Sequence, residues 1–162
     1  MWDEEIGDAM LIESIEFQRS DFGDSIATAT LDHFEIFMGL YDEDYLGTDF
    51  DENYLEDSRY LVFSSDPWTA SVGMNEMIVF DLDTPFWFNG NDNLIIEITW
   101  SWGIQGDHFI AWGWNDFGRS LFGYYGSPTG TYEDRIPYMI LNGTMALEPS
   151  TFGSIKAFFG SL

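Results

Sequence analysis

The chain has 162 residues, which is enough for one domain with a substantial hydrophobic core and is short for two. Hydrophobic residues make up 45% and aromatic residues 19% of it, so the composition excludes a disordered acidic tail. Five Lys and Arg against 29 Asp and Glu give a net charge of -24, which repels phosphate backbones and anionic lipids and disfavours nucleic acid as a partner. No apolar run approaches the roughly 20 residues that span a bilayer, so no membrane insertion is expected.

Two early segments alternate apolar and polar residues, which is the pattern of strands with one buried face. The first segment runs from Leu11 to Gln18. The second runs from Ile26 to Met38, and its parity changes at Asp32, which predicts a bulge or bend near His33. The predicted buried face of the first strand comprises Leu11, Ile15 and Phe17.

An acidic loop follows from Tyr41 to Arg59, with no basic residue before Arg59. Neighbouring carboxylates repel one another there unless a cation or water separates them. Calcium takes about six to eight oxygen ligands, and the loop supplies closely spaced oxygens, although not at the spacing of an EF-hand. A solvated acidic surface is the alternative interpretation. The candidate calcium ligands are Asp42, Asp44, Asp49, Asp51 and Asn53.

The stretch from Phe80 to Trp102 predicts two strands joined by a turn. The first strand, around Ile78 to Leu82, is expected to end at Asp83-Thr84-Pro85, because proline cannot donate to a ladder of hydrogen bonds. A turn at Asn89 to Asp92 leads into the second strand. The predicted core face of that second strand comprises Leu94, Ile96, Ile98, Trp100 and Trp102.

The rest of the chain continues the pattern of short strands and turns. Together the segments give eight or nine short strands, which predict an all-β fold, an antiparallel β-sandwich of jelly-roll type, over residues 1–148. A turn is predicted at Gly103 to Gly106, and strands at His108 to Trp114, at Ser120 to Tyr125 and, interrupted at Asn142-Gly143, at Ile136 to Leu147.

Residues 149–162 form a separate C-terminal segment in this interpretation. Its apolar spacing fits a helix and a strand equally, so the segment either docks on its own domain or adds to the sheet edge of a neighbour. The predicted assembly residues are Phe152, Ile155, Phe158 and Phe159.

Candidate sites for chemistry are few. Trp68 and Trp87 lie beside turns, where a flat aromatic side chain can stack on a sugar ring, and they are the candidate glycan-binding residues. His33 and His108 are the only histidines, there is no cysteine, and neither a G-x-S-x-G nor an H-E-x-x-H motif occurs. We therefore expect no enzyme activity.

The segment LDTPFWFNGNDNLIIEI, from Leu82 to Ile98, resembles a strand-turn-strand motif of β-sandwich modules in large secreted or cell-surface bacterial proteins. The resemblance extends through IESIEFQ, LDHFEIFMG, LVFSS and RIPYMILNG and covers about residues 5–145. The ending TFGSIKAFF is similar to short C-terminal segments of some exported bacterial proteins. This resemblance implies export and a scaffolding or binding role, and it brings no assigned catalytic residues.

These observations lead to two functional hypotheses. The first is a secreted, non-enzymatic structural protein that assembles with copies of itself, through its terminal segments, into an extracellular filament or surface layer. The second is a carbohydrate-binding or adhesive module of the cell surface, with glycans as partners and calcium as a structural ion. Neither hypothesis requires another cofactor.

Overall fold

The computed structural model describes residues 6–105, 112–114, 118–133 and 135–145. Within them the chain is an antiparallel β-sandwich, so the predicted fold class is confirmed. A 3-10 helix at Asp51–Asn53 lies in the acidic loop. The strands are β1 (Met10–Gln18), β2 (Ile26–Asp32), β3 (Phe34–Tyr41), β4 (Tyr60–Ser65), β5 (Trp68–Gly73), β6 (Met77–Phe88), β7 (Asn93–Thr99), β8 (Trp102–Gln105), β9 (Trp112–Trp114), β10 (Ser120–Phe122), β11 (Thr131–Glu133), β12 (Arg135–Pro137) and β13 (Met139–Met145).

The first layer is a three-stranded sheet in the order β13-β1-β6. Strand β1 lies in the centre, and Ile15 is opposite Phe80 of β6 and Leu141 of β13. At the start of β1, Met10 is opposite Phe88 on one side and Met145 on the other.

The second layer is one bent sheet made of two three-stranded halves, β5-β2-β8 and β4-β3-β7. Strands β2 and β3 follow each other across His33, which has a positive φ of 50°. Strands β4 and β5 follow each other across Asp66-Pro67, and β7 and β8 across Trp100-Ser101. All three strands therefore bend at one crease, and the bend that the sequence predicted near His33 is confirmed.

The core lies between the layers and is centred on Phe80 of β6. The Phe80 ring lies 5.5 Å from the ring of Phe34 and 5.3 Å from those of Phe63 and Trp68, measured between centroids. Phe17 of β1 meets it edge to face at 5.9 Å. Offset and edge-to-face pairs at these separations add to the stabilisation that burial alone provides.

The predicted end of a strand at Pro85 is wrong, because β6 runs from Met77 to Phe88. Its pairing with β1 jumps from Ser14 opposite Asp81 to Ile12 opposite Phe86. Pro85 falls inside this irregular stretch, where no ladder hydrogen bond is required of its nitrogen.

The same irregularity corrects the predicted core face of β1. Ile12, Ile15 and Phe17 are buried, whereas Leu11 is only partly buried. The register of β1 shifts between Ile12 and Ser14, and a shift of one residue moves the preceding side chains to the other face.

The predicted core position of Trp102 is also wrong, because its side chain is 67% exposed. The strand expected from Leu94 to Trp102 breaks at Trp100-Ser101, where the amide of Ser101 donates to the carbonyl of Asp32 at 3.0 Å. Trp100 still packs against the core, but the break reverses the parity for Trp102. The turn expected at Gly103 is instead part of β8.

The last predicted strand divides at a different place. Strand β13 continues through Asn142-Gly143, and the break falls at Tyr138, between β12 and β13. Bends of this kind split long strands, so there are more strands than the eight or nine predicted. His108 and the segment 149–162 lie outside the described residues.

Candidate functional site

The acidic loop is docked on the β10-β11 hairpin. The amide of Leu46 donates to the carbonyl of Gly118 at 2.8 Å, and the amide of Gly130 donates to the carbonyl of Thr48 at 2.8 Å. The Phe50 ring lies so close to Gly130 that a Cβ at that position would meet it at 2.6 Å. The loop and the hairpin therefore form one structural unit.

Asn53 holds the acidic loop in its conformation. The side chain is 3% exposed, and its Oδ1 accepts a 2.6 Å hydrogen bond from the amide of Gly47. Its Nδ2 donates to the carbonyls of Gly47 at 3.0 Å and Asp49 at 2.7 Å. The side-chain oxygen that the sequence offered to calcium is thus bonded to the loop's own backbone.

Asp49 has a similar internal role. Its Oδ1 accepts hydrogen bonds from the amides of Asp51 at 3.0 Å and Glu52 at 3.4 Å, which stabilises the 3-10 turn. Asp51 lies 3.8 Å from the guanidinium of Arg59. Among the residues that the structure describes, no three acidic or histidine side chains form a group suited to a metal ion. Calcium binding by the loop, including Asp42 and Asp44, stays a prediction.

A cluster on the outer face of β3 and β7 fastens the other end of the loop. Arg59 donates to Glu97 through two nitrogens, at 3.1 and 2.9 Å, and its guanidinium lies 4.2 Å from the ring centroid of Phe37. The Tyr54 hydroxyl donates to the same carboxylate at 2.7 Å. A Cβ at Gly39 would overlap the Tyr54 ring, so this close approach requires glycine there.

The electrostatics of this cluster follow from burial and from one shared carboxylate. Burial, and then the charge and hydrogen bond of Glu97, raise the pKa of Tyr54 above its ordinary value. For Arg59, burial acts to lower the pKa, but the hydrogen bond and charge of Glu97 outweigh it and the pKa is raised. The cluster is therefore a neutral phenol beside a paired guanidinium and carboxylate. Sequence analysis missed it, and its one signal was the isolated Arg59 at the end of an acidic run.

A second polar cluster lies at the crease of the bent sheet. Asp66 accepts from the backbone amide of His33 at 2.9 Å, and its other oxygen lies 3.4 Å from Nε2 of the His33 ring. Nδ1 of His33 lies 2.9 Å from Oγ of Ser101. One residue from each bent strand takes part, so the cluster ties the three strands together where they turn.

The two predicted glycan-binding tryptophans lie in different environments. The Trp68 ring stacks on Phe34 at 4.8 Å with an interplanar angle of 20°, and it packs against the core. Trp87 is 52% exposed on the outer face of β6, opposite Leu11 of β1. Trp87 is thus the one of the two that the fold presents to solvent.

A cavity of about 1500 Å³ runs along β7. It is lined by Glu97 and Thr99 from the outer face of the strand and by Ile96 and Ile98 from its core face. Polar and apolar side chains therefore both line the cavity.

No helix in the described part of the chain has the length and apolar character needed to cross a membrane. The chain matches no protein-family model, no curated protein and no solved structure.

Proposed function

We propose that this chain is a non-enzymatic structural module of an extracellular surface and associates with copies of itself through its terminal segments. The observation that supports this most directly is the pairing of Met10 with Met145 across β1 and β13. The start of β1 and the end of β13 therefore lie side by side, at one end of one sheet. The terminal segments are attached at these neighbouring ends and can contribute to one contact.

The position of β13 favours association by strand pairing. It is the outer strand of the order β13-β1-β6, and among the described residues its other side has no partner strand. Residues 142–145 at its end are exposed. A strand edge with unpaired backbone groups is a ready template for another chain. The apolar segment 149–162, which lies outside the described residues, follows this edge in the sequence.

The polar clusters agree with a structural role. Asn53, Asp49, Arg59 and Glu97 are engaged in holding the acidic loop, and His33 in holding the crease. The net charge of -24 keeps separate copies apart, so association should strengthen as salt screens it.

The test is to delete residues 149–162 and compare both proteins by electron microscopy and sedimentation at several salt concentrations. We expect the whole chain to form polymers and the shortened chain to remain monomeric. A matched variant replaces Phe152, Ile155, Phe158 and Phe159 with Ser, and its control replaces the exposed Phe122 and Tyr124 of the hairpin with Ser. Unchanged assembly after the deletion would contradict the proposal.

The exposure of Trp87 favours a second candidate function, glycan binding by a surface module with calcium in the acidic loop. It predicts saturable glycan binding by the monomer that is lost in Trp87→Ala. Calcium should then raise the unfolding temperature more than magnesium does at equal ionic strength. An absence of binding across a glycan array would count against this candidate.

A further inference from the structure

Among the described residues, the outer face of β5-β2-β8 carries no charged side chain between its two ends. Opposed residues in an antiparallel pair place their side chains on the same face, and the pairs Thr28 with Ser71, Thr30 with Thr69 and Thr30 with Ile104 define it. Asp32, opposite Trp102, lies at the crease end of this face, and the carboxylate of Glu76, which accepts from the amide of Gly73 at 2.7 Å, lies at the other end beside Ile26. The other outward residues, here named the uncharged face, are Ile26, Thr28, Thr30, Thr69, Ser71, Trp102 and Ile104.

The uncharged face is also strongly exposed. Trp102 is 67% exposed, Ile104 71% and Ile26 59%, and the hydroxyl residues between them are exposed as well. Large apolar side chains that are exposed next to one another on a sheet mark an interaction site more often than scattered ones do.

The outer faces of the other sheets differ. On β13-β1-β6, Glu13 accepts a hydrogen bond from Thr144 and Glu16 accepts one from Asn142. On β4-β3-β7 the outer face carries the pair of Arg59 and Glu97. In a chain with a net charge of -24, a sheet face whose described carboxylates lie only at its two ends therefore requires a specific explanation.

The size of the uncharged face restricts its partner. Three strands about 4.8 Å apart and about 20 Å long cover roughly 300 Å². A stable contact between two proteins buries about 800 Å² on each partner, so this face is too small for a second copy to bind stably through it alone. An extended chain ligand fits an area of this size.

We propose that the uncharged face binds a neutral polysaccharide chain. The indole of Trp102 offers a flat apolar surface for a sugar ring, and the hydroxyls of Thr28, Thr30 and Thr69 offer donors and acceptors to sugar hydroxyls. An anionic glycan would be repelled by the net charge, and a cationic one would favour the acidic loop instead. The inference rests on the glycan binding of the second candidate function but places it at Trp102 instead of Trp87, so binding should persist in Trp87→Ala.

The test measures retention of the whole chain on cellulose, chitin, xylan and mannan, together with affinity electrophoresis in soluble forms of the same polymers. We expect retention on at least one of them, and a loss of affinity of about tenfold or more in Trp102→Ala and in Thr30→Glu. Affinity should change less than about twofold between low and high salt, because the ligand is uncharged.

Two control variants make the same kinds of change at exposed positions outside the uncharged face. Tyr60→Ala removes an aromatic ring that is 55% exposed on β4, and Thr84→Glu adds the same charge to exposed β6. Both should bind as the unmodified chain does, and circular dichroism should show the same fold for all four variants.

Three results would overturn the inference. If the chain is retained on none of the polymers, both the binding site proposed on the uncharged face and the glycan-binding function are contradicted. If retention is lost in Trp87→Ala but kept in Trp102→Ala and Thr30→Glu, the glycan-binding function stands and only its proposed site on the uncharged face is contradicted. Conversion of a dimer to a monomer by Thr30→Glu, without polysaccharide binding, would show that a second copy occupies it.

Discussion

The Tyr54 hydroxyl donates a 2.7 Å hydrogen bond to the carboxylate of Glu97, which is 43 residues later in the chain. The bond joins the end of the acidic loop to β7. Arg59 binds the same carboxylate, so one side chain of β7 holds two residues of the loop. The most acidic part of the chain is thereby fixed against the sandwich.

Tyr54→Phe should lower the free energy of unfolding by about 1.5 kcal/mol, because the hydrogen bond to a charged acceptor is lost while the ring remains packed. Urea unfolding measures the difference. Tyr60→Phe is the control, since Tyr60 is 55% exposed, and its stability should be unchanged. Equal stability of all three proteins would show that the Tyr54 hydroxyl contributes nothing.

The raised pKa of Tyr54 predicts a loss of stability in alkali. The folded protein retains the phenol proton above the ordinary pKa of 10.0, whereas the unfolded chain releases it. The stabilisation is therefore complete below about pH 10 and is lost as the pH rises, by up to about 1.4 kcal/mol per pH unit. Urea unfolding at increasing pH should show a shallower decline for Tyr54→Phe. Some decline should remain, because burial and then Glu43 and Asp42 raise the pKa of Tyr41 in the same direction.

Asn53→Ala should destabilise the protein by about 2 to 3 kcal/mol and open the acidic loop. The substitution leaves the amide of Gly47 and the carbonyl of Asp49 without their partner in a buried position. Thermal unfolding measures the stability, and limited proteolysis between residues 42 and 58 measures the opening. Glu52→Gln, at an exposed neighbouring position, is the control and should be cleaved at the original rate.

Gly143→Ala should destabilise the protein by about 3 kcal/mol or more, because a Cβ at this position would overlap the backbone carbonyl of Leu11 in the paired strand. The backbone of β1 cannot shift away from the added Cβ without losing its pairing with β13. Thr144→Ala, which loses only a hydrogen bond to exposed Glu13, should change stability by less than about 0.5 kcal/mol. Similar unfolding midpoints for the two variants would contradict the register of β1 and β13.

Asp66→Ala should cost about 1 kcal/mol of stability, because the backbone amide of His33 loses its acceptor at the crease. Asp66→Asn retains an oxygen for that bond and should lose less than about 0.5 kcal/mol, since the contact of the other oxygen with the His33 ring is exposed and contributes little. Thermal unfolding of both variants separates the two contacts. A loss of the same size in both would assign the effect to the charge instead.

Several elements of the fold could be predicted from short segments of the sequence. The alternation around Ile15 and Phe17 indicated a strand, Asn89 to Asp92 indicated a turn, and the parity change at Asp32 indicated the bend. Successive side chains of a strand point to opposite faces, so a short segment of sequence is sufficient to identify a strand. The role of Asn53, a predicted calcium ligand, could not be predicted in this way, because the sequence shows that Asn53 carries an oxygen but not that the amide of Gly47 donates to it.

By itself, the sequence determined that the protein is an all-β sandwich and that its negative charge is concentrated between Tyr41 and Arg59. Only the tertiary structure decided that Ile12 is buried instead of Leu11, that Trp102 is exposed, and that Glu97 receives Tyr54. The physical reason is that bulges and breaks are set by the register with a partner strand. A single residue of shift reverses the face of every side chain beyond it.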